Sequence, residues 1–309
     1  MRIRPAVACA RGLSAVGARL PGGLPATMRT ALPVLAVLVG LASQVSAQEA
    51  PRVMSLNVCT DQLVLALADP RRIVSLSVLS GEPDYSFLHA AAKPYPKNAG
   101  VAEEVFVARP DVVVTGTYSL HNTTQLLRHL GMRVEEFGYT QTLDTIAGDI
   151  RRMGAILGEE AGAEAMATTF ERDRSTLTVP DGEPRPTAVI YGQNGVATGA
   201  GTLADSVLEA AGFRNLAAER GFSGMAPYPL ELLITDRPDV VLLSAGIDEA
   251  PALADQVTRH PAIAASGAKA AIGIVPRGSW SCGGPFTLEA VRALRLLRDE
   301  ILSKTGASG

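Results

Sequence analysis

The stretch TLDTIAGDIRRMGAILGEEAGAEAMATTFERDRST, Thr142–Thr176, decides how the chain is organised. Ile146, Ile150, Met153, Ile156, Leu157, Met166 and Phe170 recur at helical spacing, while Asp149, Arg151, Arg152, Glu159, Glu160, Glu164, Glu171, Arg172 and Asp173 take other positions. The pattern predicts one long amphipathic helix. At 1.5 Å per residue it would run roughly 50 Å, more than a small domain uses internally, which suits a bridge between two domains. Gly154, Gly158 and Gly162 each cost about 1 kcal/mol relative to Ala, so the alternative is two shorter helices with a break near Gly158.

The two sides of this stretch repeat each other. Glu103-Glu104-Val105-Phe106-Val107-Ala108-Arg109-Pro110-Asp111-Val112-Val113-Val114 stands before it and Glu231-Leu232-Leu233-Ile234-Thr235-Asp236-Arg237-Pro238-Asp239-Val240-Val241-Leu242 after it. Glu, Arg, Pro, Asp and the following Val recur at an offset of 128 residues, from 103 to 231 and from 110 to 238. The expectation is an N-terminal lobe over 48–140, a linker helix over 141–180 and a C-terminal lobe over 181–309.

The first 47 residues hold five of the 28 basic side chains and no acid, with an apolar run from Leu32 to Leu41 ahead of Val45-Ser46-Ala47. This reads as a secretory signal peptide cut between Ala47 and Gln48, its true start either Met1 or Met28. The run is too short to span a bilayer permanently. After removal, 23 basic and 31 acidic side chains remain, a net charge of about −8, which argues against nucleic acid as a partner. Cys9 leaves with the signal. Cys59 and Cys282, one in each lobe, permit one disulfide in an oxidising compartment, the alternative being two separate buried residues.

In the first lobe, strands are predicted over Val53–Leu56, Ile73–Leu76, Val112–Thr115 and Arg133–Phe137, with helices over Gln62–Ala68 and Thr123–Leu130 and another at Glu103. The second lobe has predicted strands over Thr187–Tyr191, Val240–Leu243 and Ala271–Val275. Its helices are expected over Leu203–Ala211, Pro251–Thr258 and Thr287–Leu302, with one more at Glu231. Alternating strands and helices with near-continuous Val runs indicate α/β lobes around buried parallel sheets. In such sheets ligands bind beyond the carboxyl ends of the strands, so those loops face one cleft.

No catalytic constellation emerges, and the chain is expected not to be an enzyme. Gly221-Phe222-Ser223-Gly224-Met225 lacks the second Gly of a hydrolase G-x-S-x-G turn, and no phosphate-cradling Gly motif follows a strand. His89, His121, His129 and His260 show no metal-ligand pairing, which leaves no protein metal site in view, although His121 is placed to ligate a metal already held in a chelate. The cleft loops offer Tyr85, Tyr118, Tyr191, Gln193, Asn194, Arg277 and Trp280. Aromatic faces suit a large planar or greasy ligand, amides fix its orientation, and Arg277 can neutralise an anionic group.

With these features in hand, the chain resembles the periplasmic binding proteins of ABC importers for ferric siderophores, haem and cobalamin. Arg52-Val53-Met54-Ser55-Leu56-Asn57, Arg72-Ile73-Val74-Ser75-Leu76, the two Arg-Pro-Asp segments and Gly278-Ser279-Trp280 carry the resemblance across about residues 51–304. It implies two Rossmann-like lobes joined by one long helix, a monomer with no covalently bound cofactor, and a metal chelate held between the lobes. It also implies that Glu103 and Glu231 dock onto a permease dimer in the inner membrane, with Glu104 an adjacent candidate for the first role. The expected cargo is an iron chelate of the ferric siderophore type, the alternatives being cobalamin or haem. A reading from another class is an exported adaptor or cofactor-scaffolding protein without a transport role.

Overall fold

Valine-rich runs flanked by caps and turns build the first lobe. In the computed structural model, which describes residues 50–118, 120–139, 141–180, 182–243, 258–265 and 268–306, the chain alternates strand and helix. The signal segment expected over 1–47, and residues 251–257 of the helix expected over Pro251–Thr258, lie outside the described residues.

The N-terminal lobe runs β1 (Val53–Ser55), α1 (Val58–Leu67), β2 (Ile73–Ser77), α2 (His89–Ala92), β3 (Lys97–Asn98), α3 (Ala102–Ala108), β4 (Val112–Gly116), α4 (His121–His129) and β5 (Val134–Phe137). Its sheet has the order β3-β2-β1-β4-β5, and every neighbouring pair is parallel. Strand side chains alternate between faces, and the cores follow that parity. Val53, Val112 and Val114 enter the main core, while Met54 and Val113 enter a smaller one with Leu56, Val105 and Leu127.

The connector differs from the single predicted helix. It is α5 (Ile146–Leu157) followed by α6 (Glu160–Thr176), with Gly158 between them in the left-handed region at φ 75°. The Gly158 and Glu159 amides both reach back to the Gly154 carbonyl, so the last turn of α5 closes and the chain reverses. The helices then lie side by side as a hairpin: Arg151 grips Glu164 and Glu171 at 2.7 and 2.6 Å, and Arg174 meets Asp144 at 2.6 Å. Gly154 is the contact point, since a Cβ there would sit 2.2 Å from that of Ala163. Of the two readings the sequence left open, the break near Gly158 is the one that forms.

The C-terminal lobe runs β6 (Thr187–Tyr191), β7 (Val196–Thr198), α7 (Leu203–Ala210), β8 (Arg214–Asn215), α8 (Leu216–Glu219), β9 (Met225–Pro227), α9 (Leu230–Asp236), β10 (Val240–Leu243), α10 (Pro261–Ala265), β11 (Lys269–Ile272) and α11 (Thr287–Gly306). β8, β10 and β11 continue the parallel theme with β6, but β7 and β9 pair antiparallel, so this sheet is mixed. The main core continues from the first lobe through Ile146, Ile150, Met153 and Phe170 of the hairpin into Ile190, Leu208, Leu242 and Leu294.

The repeated Arg-Pro-Asp segment does the same structural work twice. Arg109 and Arg237 end α3 and α9 in the left-handed region, at φ 47° and 46°, and the following Pro forbids further helix. Asp111 then accepts the Arg52 amide at 2.7 Å, and Asp239 accepts the Thr187 amide at 2.7 Å. Each lobe therefore has the segment leading into β4 or β10 stapled to the start of β1 or β6, the central strand of its sheet.

Candidate functional site between the lobes

The carboxyl edges of the two sheets meet at a seam. From the first lobe comes the loop after β2, and from the second the loop 276–286 between β11 and α11. Arg277 holds Asp84 through paired hydrogen bonds, Nε to Oδ1 at 2.5 Å and an Nη to Oδ2 at 2.7 Å, and this guanidinium keeps the Asp84 carboxyl below the usual carboxylate range. Ser281 Oγ donates to the Asp84 carbonyl at 3.0 Å, and the Gly283 amide to Gln141 Oε1 at 2.8 Å. Phe87 and Phe286 stack at 5.2 Å. Gly278, at φ 72°, lies bare against the Ser86–Phe87 backbone, where a Cβ would come within 2.5 Å of the Phe87 nitrogen. Cys59 and Cys282 are joined in a disulfide with Cα atoms 5.0 Å apart.

Beneath the seam, the first turn of α1 sends four consecutive side chains to different places. Cys59 bonds to Cys282. Thr60 donates to the Asn57 carbonyl at 2.9 Å and pairs with Ser55 at 2.8 Å. Asp61 accepts the amide and hydroxyl of Ser77 at 3.1 and 2.5 Å, and Gln62 accepts the Phe87 and Leu88 amides at 2.9 and 3.3 Å. Asn57 caps the helix by accepting the Cys59 amide. The helix expected over Gln62–Ala68 begins only after this turn, which the structure makes helical from Val58. The signal passed over was a run of polar residues followed directly by Leu63 and Val64, at positions where a helix buries all of them.

At the carboxyl ends of β4 and β5 stand Tyr118 and Tyr139, 76% and 59% exposed and stacked on each other at 4.7 Å with 23° between their planes. The parallel register of β4 and β5 sets their spacing, and the Tyr139 amide donates to Thr117 Oγ1 at 3.1 Å. Tyr139 is not among the expected site residues: the strand end at Phe137 is read correctly, but no ligand-facing residue is assigned to the loop just beyond it. Val78 and Leu79 follow β2, and with Tyr85 they leave exposed apolar surface on the same edge.

The other expected residues divide. Gln193 and Asn194 are exposed in the turn that joins β6 to β7, with Asn194 in the left-handed region at φ 57°. Trp280 is partly buried against the main core. Tyr191 is corrected: it is fully buried, its ring edge-on to Tyr228 and its hydroxyl donating to the Tyr228 carbonyl at 3.2 Å. As the last residue of β6 it shares the parity of Val189, whose face is covered by the helices of that lobe. Burial, with Glu231 adding, raises its phenol pKa. Arg277 is ion-paired with Asp84 and so stands as a neutralised pair rather than a bare cation.

Glu103 and Glu231 are both exposed in the first turns of α3 and α9. Glu104 is engaged, its Oε2 accepting the Ala99 amide at 2.8 Å. Beside the two outward acids, Phe106 and Ile234 occupy matching exposed positions at the same 128-residue offset. His121 is exposed and hydrogen-bonded to Gln125 at 2.8 Å, and among the described residues no three His, Cys, Asp or Glu side chains converge as a metal site would require. No described helix is long and apolar enough to cross a membrane.

Residues 53–271 match the family described as periplasmic binding protein. A cobalamin-binding protein of Halobacterium salinarum is 29% identical over 213 residues, 67% of this chain and 57% of its own length, so the chain spans a little over half of that relative. The haem-binding protein HutB of Vibrio cholerae superposes with a TM-score of 0.65 at 19% identity, covering 80% of this chain and 98% of HutB. The vitamin B12-binding protein BtuF of Vibrio cholerae gives 0.61 at 16% identity, covering 82% of this chain and 98% of BtuF. These two likenesses concern the fold.

Proposed function

Given that the chain belongs to the periplasmic binding protein family, we propose that it is the receptor of an ABC importer for a planar metal chelate, with a corrinoid as its first cargo. The observation that carries this reading is the exposed Tyr118–Tyr139 stack at the carboxyl edge of the first sheet. Two stacked phenol rings, with Val78 and Leu79 exposed at the end of β2 in the same sheet, offer apolar surface with polar tips, which matches the flank of a tetrapyrrole. The pairing of Arg277 with Asp84 favours cargo with little net negative charge. That ranks a corrinoid above haem, with its propionates, and above the ferric siderophore that the sequence alone put first. The cobalamin-binding relative supports the same order.

In this reading the protein performs no chemistry, acts as a monomer and is secreted to the periplasm by cleavage after Ala47. Glu103 and Glu231 engage cationic side chains of the permease dimer, and the hydrogen bond that Glu104 accepts from the Ala99 amide leaves Glu103 as the first-lobe contact.

The test is a titration of the mature chain, residues 48–309, with cyanocobalamin, haemin and a panel of ferric siderophores, read by quenching of Trp280. Saturation by cyanocobalamin at micromolar concentration or below is expected. Saturation by haemin or a siderophore alone would replace the corrinoid with that ligand. Silence toward all of them would turn the reading toward an adaptor whose cleft stays empty.

A further inference from the structure

We propose that the Cys59–Cys282 disulfide is a positioning element for ligand binding, which holds the loop around Trp280 against the first lobe so that the cleft is formed before cargo arrives. The inference rests on the receptor reading above.

β11 ends at Ile272 and α11 begins at Thr287, so the intervening loop carries its own shape without a strand partner among the described residues. Its anchors to the other lobe flank Trp280 closely on both sides. Arg277 and Gly278 meet Asp84 and Phe87 on one side; Ser281, Cys282 and Gly283 meet Asp84, Cys59 and Gln141 on the other. These anchors differ in strength. The ion pair is partly exposed, 48% and 38% for its two side chains, and such pairs hold geometry weakly. The Ser281 hydrogen bond is open to water, whereas the Gly283 hydrogen bond to Gln141 is buried but not covalent. The disulfide alone cannot be traded for solvent, and Cys282 is buried, which shields the bond from one side.

On the other side, Cys59 sits in the first turn of α1, the same turn whose Thr60, Asp61 and Gln62 fix the segments at Asn57, Ser77 and Phe87. One helical turn, fixed to its own N-cap, thus ties the loop of the second lobe to two further segments of the first, at Ser77 and Phe87. Because an ordered loop contributes to affinity by sparing the ligand the cost of ordering it, loss of the bond should weaken binding through faster dissociation.

The experiment compares the oxidised mature protein with its Cys59→Ala/Cys282→Ala variant. Dissociation constants and dissociation rates for cyanocobalamin and haemin, Trp280 emission without ligand, and the melting temperature are measured on both. The expected result is affinity lower by about tenfold, carried mostly by the dissociation rate, with red-shifted Trp280 emission. Unchanged affinity with a lower melting temperature would mark the bond as purely structural and overturn the proposal. Should the double variant fail to fold, the folded wild type reduced with a phosphine serves in its place: dissociation faster by about tenfold is expected, and an unchanged dissociation rate with both thiols free by titration would overturn the proposal. If the wild type binds no chelate, the receptor reading falls. The positioning claim is then judged by hydrogen exchange across residues 276–286, where equal protection in the variant would overturn it.

Discussion

Asp61 is buried without exposed surface, and desolvation pushes its pKa up to about 6 even though Ser77 and Ser55 hydrogen bonds and the Lys97 charge pull the other way. An acid raised above its unfolded value binds its proton more tightly when folded, so its contribution to stability falls as pH rises from about 4 to 6 and is flat above. Replacing Asp61 with Asn keeps the shape and removes the titration. The stability difference between wild type and Asp61→Asn in urea should therefore shift by about 1–3 kcal/mol between pH 7 and pH 4.5, the wild type gaining at the lower pH. A constant difference would mean that the carboxyl is ionised throughout. Tyr118→Ala is expected to cost roughly tenfold in chelate affinity with little change in melting temperature, because the ring is exposed and its stacking partner, Tyr139, is exposed as well. Tyr191→Phe should do the reverse, losing about 1 kcal/mol of stability with the hydrogen bond to Tyr228 while binding is unaffected. At this scale the sequence named residue types better than environments. The composition of the β6 loop suggested a ligand-facing Tyr191, but one step of strand parity turned it into the core. The pairing of Arg277 with Asp84 crosses 193 positions and left no local mark.

The hairpin of α5 and α6 shows how an element can be right in outline and wrong in path. Its apolar spacing was legible over Ile146–Leu157, and so was the glycine series at 154, 158 and 162. What decides between a straight rod and a reversal is the fit of one helix on the other, Gly154 against Ala163, which periodicity does not encode. Gly154→Val should cost about 1–3 kcal/mol in denaturant unfolding, and adding Ala163→Gly should recover part of that loss. Additive losses would place the clash elsewhere. Strands β6 and β10 were read to the residue because continuous apolar runs mark buried parallel strands. β7 and β9, three residues each and only partly buried, carry too little pattern to be read and make the second sheet mixed.

The described residues form two lobes drawn around one continuous core, and a duplicated Arg-Pro-Asp staple follows each of the helices whose first turns carry Glu103 and Glu231. Reversing both acids to Lys should abolish chelate uptake in cells while the purified variant binds its cargo as before, since exposed charges govern encounter more than folding. Uptake at the wild-type rate would remove these acids from the partner contact. The disulfide also acts as a clock. Cys59 is synthesised 223 positions ahead of Cys282, and after Ala47 the chain contains no third cysteine with which either could pair wrongly. The bond therefore cannot form before residue 282 has been made, and mobility on a non-reducing gel separates bonded molecules from unbonded ones.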